Sequence, residues 1–499
     1  MRNLRTVGFT CQNKADVLVN DIYVDKYSGD LWIATDCGLL NAKHDGESEV
    51  YFKDKRFTKI AFANHACICL LSGTSIMLLQ LPDHIVSCED FEENIQDCVF
   101  SPDLSVGVIL TENCNIFLIS SEIEIVTQID LSCLSNEKTK FVNVGWGKEE
   151  TQFKGRKIKA PNVDEEEGTT EPTSVNILPG EITWREDSKY FAVSWTDTNS
   201  PQAHRRLHIF DSNGTLNSVG SETSEVESGL CWRPRVQLIA ASKRLSGRLL
   251  KVVFFELNGL PHGEIDLLYA PECDKFRVGR IVFDAEEHIM AVLFLPLESS
   301  VLPFVRLYTT SNYHWSVKGE LSPLPTPLPT SPIGRISLTF GGGGDVAQTS
   351  TLHTAVSLGK KEGSYIASFG LASCIDRSAW IPNSTSPDPA ILANIDGNSV
   401  GLTAFAFTSI PPPMAGSTIT FPFTVSAVTI SQPRFPDNAH SVLVQPACTS
   451  VDKAPWFLTL NTDWKNKAIL KSGDQVLNQE KGMAAKNCTP TVTEFCVLR

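Results

Sequence analysis

The sequence predicts an all-β chain folded as a β-propeller of the WD40 type, with the start of a second, incomplete propeller near its C-terminal end. Three observations lead there. Short runs rich in Val, Ile, Phe and Trp are punctuated by Gly, Pro, Asn and Asp, while helical periodicity is scarce. One template returns along the chain: an aromatic anchor, a polar turn, an apolar strand, a hairpin and a second apolar strand. Finally, 499 residues exceed what one ordinary core fills, unless the fold is built of repeats.

The elements follow in order. Leu31 to Leu40 reads as a hairpin of an opening blade, and Phe62 to Leu81 as a weaker one. Clear copies then begin. Cys98-Val99-Phe100-Ser101-Pro102-Asp103 leads to Val106–Leu110 and Ile116–Ile119. Ile182-Thr183-Trp184-Arg185 leads to Tyr190–Trp195, then to Leu207–Phe210 and the turn Asn213-Gly214. Leu230-Cys231-Trp232-Arg233-Pro234 leads to Leu238–Ser242, then to Val252–Phe255 and Asn258-Gly259. Ile281-Val282-Phe283-Asp284 leads to Ile289–Phe294 and Phe304–Tyr308. Trp184 and Trp232 are 48 residues apart and Phe283 follows 51 later, close to the roughly 40–45 residues of a four-stranded blade. A single such sheet cannot bury both faces, whereas radial stacking covers them. A β-sandwich also yields aromatic and alternating patterns, but it does not need the same segment again at blade-sized intervals. Past Trp315 the run Ser322-Pro323-Leu324-Pro325-Thr326-Pro327-Leu328-Pro329 and the glycines 341–344 interrupt the pattern. Proline cannot pair in a sheet interior, so 319–350 is read as a mobile insertion in a late blade. The first propeller is expected over 1–415, and the divergent 416–499 as the start of a second.

Composition narrows the function. Hydrophobic residues make up 42% and charged residues 20%, too apolar for disorder. A net charge of −14 argues against a nucleic-acid clamp over the whole surface. No signal peptide or membrane span is visible, the longest strongly apolar stretch being Ile289 to Leu297. The 14 cysteines sit singly in apolar stretches, with no C-x-x-C pair, so reduced thiols in a cytosolic protein are expected and zinc is not. P-loop, H-E-x-x-H and G-x-G-x-x-G motifs are all missing. No catalytic, cofactor or metal residue is therefore expected, and His208 reads as a packed core residue. One basic stretch runs from Lys148 to Lys159 and is followed by Asp164-Glu165-Glu166-Glu167. Lys148, Lys154, Arg156, Lys157 and Lys159 are candidates for contact with RNA or a partner. The preferred reading is a solvated loop of offsetting charges.

A family resemblance sharpens the picture. The segment 141–153, Phe-Val-Asn-Val-Gly-Trp-Gly-Lys-Glu-Glu-Thr-Gln-Phe, resembles a signature of the family of the largest, scaffold subunit of Elongator, the IKAP family. Further collinear matches are Ile182–Arg185 with Phe191–Ser194, Val253–Gly263, Asn312–Trp315, Ile395–Asn398, Pro411–Met414 and the start Met1–Leu4. They span roughly 1–430 and correspond to the N-terminal part of that family only. The resemblance implies two N-terminal propellers, followed in the full-length family by a helical region that dimerises the complex and a basic tRNA-binding segment. Ending at Arg499, this sequence is expected to lack both. It also implies partners: the other Elongator subunits, among them the radical-SAM and acetyltransferase subunit that carries the iron–sulfur cluster and uses acetyl-CoA, and tRNA through the complex. The expected function is a non-catalytic scaffold for the 5-carboxymethyl-type modification of wobble uridine, in the cytoplasm and also the nucleus, with no membrane partner. The alternatives are a generic WD40 protein-interaction propeller and a propeller that binds RNA directly.

Overall fold

The computed structural model describes residues 3–134 and 179–476 apart from short interruptions, the longest being 43–47, 198–203, 342–348, 379–389, 432–438, 448–453 and 464–467. Among the described residues nine four-stranded antiparallel sheets occur, and no α-helix. Six are simple meanders, spanning 19–51, 59–90, 95–130, 181–219, 231–269 and 276–321. The seventh is made of Ile336–Gly341, Thr349–Ser357 and Ser364–Cys374, with the N-terminal strand Asn3–Lys14 as its outermost member.

These seven sheets are the blades of a closed ring. The innermost strands Val19–Val24, Lys59–Ala63, Ile95–Phe100, Glu181–Trp184, Cys231–Trp232, Phe276–Phe283 and Ile336–Gly341 touch one another in that order, and the last returns to the first. Pairing of Asn3 with Cys374 through to Lys14 with Ser364 joins the two ends of the ring.

Each copy predicted from sequence becomes a blade for a visible reason. The anchors Phe100, Trp184, Trp232 and Phe283 end or nearly end an innermost strand, and all are buried. Each packs against the blade before it. Phe100 meets Phe62 edge-on at 4.8 Å, and Trp184 donates its indole N–H to the Val99 carbonyl at 3.1 Å. The polar turn after the anchor repeats as well. Backbone N–H groups of Ser101, Arg185, Arg233 and Asp284 donate to the carbonyls of Val106, Tyr190, Leu238 and Ile289. The loops they close each hold one residue at positive φ: Leu104, Ser188, Arg235 and Glu287. Buried aliphatic residues of facing blades then fill the wedges.

Two expectations are corrected. The segment 319–350 is not one insertion. His314–Leu321 is the outer strand of the sixth blade and Ile336–Gly341 the innermost strand of the seventh. The prolines are confined to the connection between them, where Leu324 is buried in the core, because Ile336-Ser337-Leu338-Thr339-Phe340 alternates as a pairing strand must. The ring also ends earlier than 415. It closes at Cys374, and an eighth sheet begins at Asp376 and runs to Thr420, followed by a ninth over 425–476. These two share a separate core containing Ile391, Ile395, Leu402, Val428 and Val444.

A polar seam fastens the eighth and ninth sheets to the ring. Asn3 is buried and donates to Asp376 Oδ2 at 2.8 Å and to the Ala393 carbonyl at 3.0 Å, while its Oδ1 accepts the Ile395 N–H at 2.9 Å. Arg5 pairs with Asp376. Lys318, also buried, donates to Asn394 Oδ1 at 2.9 Å and to the Ile395 carbonyl. Val317 exchanges bonds with Asp396 Oδ1 and the Gly397 N–H. The expectation for His208 is met: it is buried and its Nδ1 accepts the Trp195 indole N–H at 2.8 Å. Burial, aided by Arg206, pushes the imidazole down to about 4.

Asn3→Ala removes the Asn3 partner of two seam acceptors, Asp376 Oδ2 and the Ala393 carbonyl, and of one donor, the Ile395 N–H, and should cost about 2–3 kcal/mol in urea unfolding. Hydrogen exchange at Ile395 should accelerate while that at Ile109, on the far side of the ring, stays slow. Equal acceleration at both would show that the seam is not a separate joint. His208 has a folded pKa below its unfolded value of about 6.5, so its stabilisation is complete above that pH and is lost as pH falls toward 4. Wild-type stability should therefore drop up to about 3 kcal/mol more than that of His208→Gln across this window. Parallel pH profiles would refute the assignment of a neutral core imidazole.

Candidate functional site: the axial channel and a rim groove

The innermost strands enclose an axial cavity of about 650 Å³, with Asp21, Lys59, Asp97, Glu181, Arg280 and Arg335 among its lining residues. Its wall is built by one local device. Innermost strands of the first, second, third and sixth blades each carry a register shift, at Val19/Asp21, Ile60/Phe62, Ile95/Asp97 and Val278/Arg280. A bulge twists the strand and re-aims a side chain. Here it lets carboxylates reach the next blade. Asp21 Oδ2 accepts the Ile60 N–H at 3.2 Å, and Asp97 Oδ2 accepts the Ile182 N–H at 2.8 Å. The preceding amides do the same: Asn20 donates to the Phe57 carbonyl, and Gln96 Oε1 accepts the Gly180 N–H.

Glu181 continues the series into the fifth blade. Its carboxylate accepts the N–H groups of Gly229 and Leu230 at 3.0 and 3.2 Å. Burial raises its pKa, opposed by the Arg205 guanidinium 3.2 Å away. Arg205 is itself buried, donating to Ser194 Oγ and the Pro179 carbonyl. Lys59 pairs with Asp97 Oδ1, which also accepts the Cys98 N–H. Three of the channel carboxylates, Asp21, Asp97 and Glu181, are thus occupied in joining blade to blade. Among the described residues no group of three or more His, Cys, Asp or Glu side chains could hold a metal ion.

A second concavity lies on the rim where the fifth and sixth blades meet, with a volume of about 1160 Å³. Two segments singled out in the sequence converge there. From 253–263 come Phe254, Glu256 and His262, and from 312–315 come Tyr313 and Trp315. Trp315 stacks on Phe254 at 6.0 Å and lies under the Arg233 guanidinium at 5.0 Å. Arg233 in turn faces Glu287 at 3.3 Å. His262 Nδ1 lies 2.6 Å from Glu256 Oε1. Tyr313 is fully exposed and sits at φ 62° in the turn between the third and fourth strands of the sixth blade. Gly259 has to be glycine: at φ 82° a Cβ would stand 2.2 Å from the Val219 carbonyl oxygen. The hairpin therefore lies flat on the outer strand of the fourth blade, where the Ser218 hydroxyl donates to the Leu257 carbonyl at 2.6 Å.

The candidate contact residues Lys148, Lys154, Arg156, Lys157 and Lys159 lie outside the described residues, as does all of 141–153. The linking role of the channel acids was missed, although the sequence holds a signal. Val19-Asn20-Asp21-Ile22 and Ile95-Gln96-Asp97-Cys98 repeat the pattern apolar, amide, Asp, apolar, and each amide–Asp pair binds the following blade.

A closed seven-bladed ring, its channel acids engaged between blades and its rim carrying an aromatic groove, defines a β-propeller whose accessible features are surfaces. Residues 35–326 match the family described as ELP1 first N-terminal beta-propeller. That is more than half of the chain, and the chain belongs to this family. It is similar to Elongator complex protein 1 of Oryctolagus cuniculus, 28% identical over 77% of this chain and 27% of that protein. The corresponding protein of Schizosaccharomyces pombe is 27% identical over 73% of this chain and 27% of its own length. That of Saccharomyces cerevisiae is 26% identical over 65% and 24%. The chain thus spans about a quarter of the length of the curated relatives it matches. Among solved structures, a chain from a complex of KlAtg21 with the coiled coil of AgAtg16 is 9% identical with a TM-score of 0.44, covering 68% of this chain and 94% of that one.

Asp97→Asn puts an NH2 group against either the Ile182 or the Cys98 N–H and removes the charge facing Lys59. It should cost about 3 kcal/mol in chemical denaturation. Glu286→Gln, at an exposed ion pair with Arg235, should leave the denaturation midpoint essentially unchanged, because solvent screens the pair. Equal costs at the two positions would contradict the inter-blade role of Asp97.

Proposed function

We propose that this chain is a non-catalytic scaffold subunit of an Elongator complex and supports the 5-carboxymethyl-type modification of wobble uridine in tRNA. The observation that carries the reading is the family match over 35–326, which falls on a closed ring whose channel carboxylates are occupied by backbone amides and basic side chains. Such a ring offers neighbours a rigid body with seven outward edges. The chemistry then belongs to a radical-SAM and acetyltransferase subunit held beside it, with tRNA bound through the assembly, in the cytoplasm and also the nucleus. Within the ring, the groove around Trp315 and Tyr313 is the contact surface this reading assigns. One exposed Tyr beside a partly buried Trp and Arg has the composition of an interface hot spot.

Affinity purification of the tagged full chain should recover the catalytic subunit, and loss of the gene should remove the wobble modification from tRNA hydrolysates analysed by mass spectrometry. Normal modification in the null strain would end this reading. Tyr313→Ala should lower subunit recovery about tenfold with no change in melting temperature, since the side chain is fully exposed. Undiminished recovery would move the contact away from the groove.

A further inference from the structure

We propose that the axial channel binds a soluble, compact, polyphosphorylated small molecule through Arg277, Arg280 and Arg335. Four acidic and four basic side chains line the cavity: Asp21, Asp25, Asp97 and Glu181 against Lys59, Arg277, Arg280 and Arg335. The two sets are not equivalent. Asp21, Asp25 and Asp97 are buried, and the oxygens of Asp21, Asp97 and Glu181 point sideways into backbone N–H groups of the next blade. Lys59 is held by Asp97 and buried Arg205 by Glu181. The Glu181 side chain keeps 25% of its surface exposed, but its oxygens are engaged by Arg205, Gly229 and Leu230, and the accessible side chains without a close countercharge are Arg277, Arg280 and Arg335.

The three arginines come from two adjacent blades. Arg277 and Arg280 lie on the innermost strand of the sixth blade, on either side of its bulge, and Arg335 directly precedes that of the seventh. Arg280 reaches across the seventh blade toward the first, with Nη1 3.8 Å from Asp21 Oδ1. That is beyond hydrogen-bond distance, and its side chain is 42% exposed. Arg335 makes one bond, from Nη1 to the Thr58 carbonyl at 3.2 Å. Among the described residues no carboxylate pairs with Arg277 or Arg335.

Guanidinium groups present planar forks that match phosphate oxygens, and several together favour clustered phosphates over a single carboxylate. Walls of low dielectric constant strengthen the attraction. A cavity of about 650 Å³ lies in the range of small-molecule sites, roughly 300–1,000 Å³, and is too small to enclose a nucleic-acid helix. The ligand class is therefore a compact polyanion carrying three or more phosphate charges. Bound there, it would bridge the sixth and seventh blades to the first, beside the closure of the ring.

The test uses the full chain, with inositol hexakisphosphate and inorganic tripolyphosphate as probes, followed by isothermal titration calorimetry and thermal melting. Binding with an increase in melting temperature is expected, weakening as salt is added. R277Q/R335Q should weaken binding about tenfold or more while leaving the circular dichroism spectrum and the ligand-free melting temperature unchanged. Should that pair fail to fold, R335Q alone carries the test, because only one hydrogen bond, to a carbonyl, is lost with it. R235Q, outside the channel, should bind as wild type. Several results would overturn the proposal: no binding of either probe, equal loss in R235Q, full affinity in the channel variants, or equal binding of poly-glutamate. Displacement of neither probe by the other would also do so, since one site must serve both.

Discussion

Closing the ring is the constraint from which the rest of the structure follows. A four-stranded sheet with two apolar faces is stable only between neighbours, and seven of them satisfy one another only if the last meets the first. The N-terminal strand achieves this by strand pairing, because Asn3–Lys14 supplies the outer strand of the blade whose other members lie at 336–374. Opening the ring would then require breaking an eleven-pair register rather than parting two packed faces. The same strand begins at the seam with the eighth sheet, through Asn3 and Arg5. Ring closure and attachment of the following sheets therefore depend on the same few residues.

Around the channel, apolar packing alone would leave the innermost strands with unpaired edges facing the axis. The carboxylates of Asp21, Asp97 and Glu181 meet that need by accepting N–H groups of the next blade. Buried charge is costly unless paired and hydrogen-bonded, and each of these acids has a backbone donor. Lys59 and Arg205 supply the countercharges for Asp97 and Glu181. Acids engaged in this way are unsuited to general acid–base work on a substrate. The side chains left accessible are those of the rim, where Tyr313 stands in solvent, and the channel arginines.

Much of this was legible beforehand. The aromatic anchors at 100, 184, 232 and 283 marked four blades because a large ring is needed where two sheets diverge from the axis. The turns after them repeated because each closes over a residue at positive φ. The seventh blade was hidden for an equally physical reason. Its fourth strand is more than 300 positions away in the chain, so no local pattern could show it. The proline run drew attention from Ile336–Gly341, which is a strand in spite of its neighbours. The groove around Trp315 was half visible: its two segments stood out in the sequence, but nothing in a linear reading brings 253–263 to 313–315.

The sequence alone determined the class of fold, the repeating unit, the wedge-filling aromatics and the family, because all of these are written as local patterns of apolar, aromatic and turn residues. Tertiary structure decided where the ring ends, which strand closes it, and that the acids of the channel bind neighbouring blades while three arginines stay accessible. Those outcomes depend on which distant segments meet once seven sheets have closed around an axis. Distance in space, unlike periodicity, has no local signature in the chain.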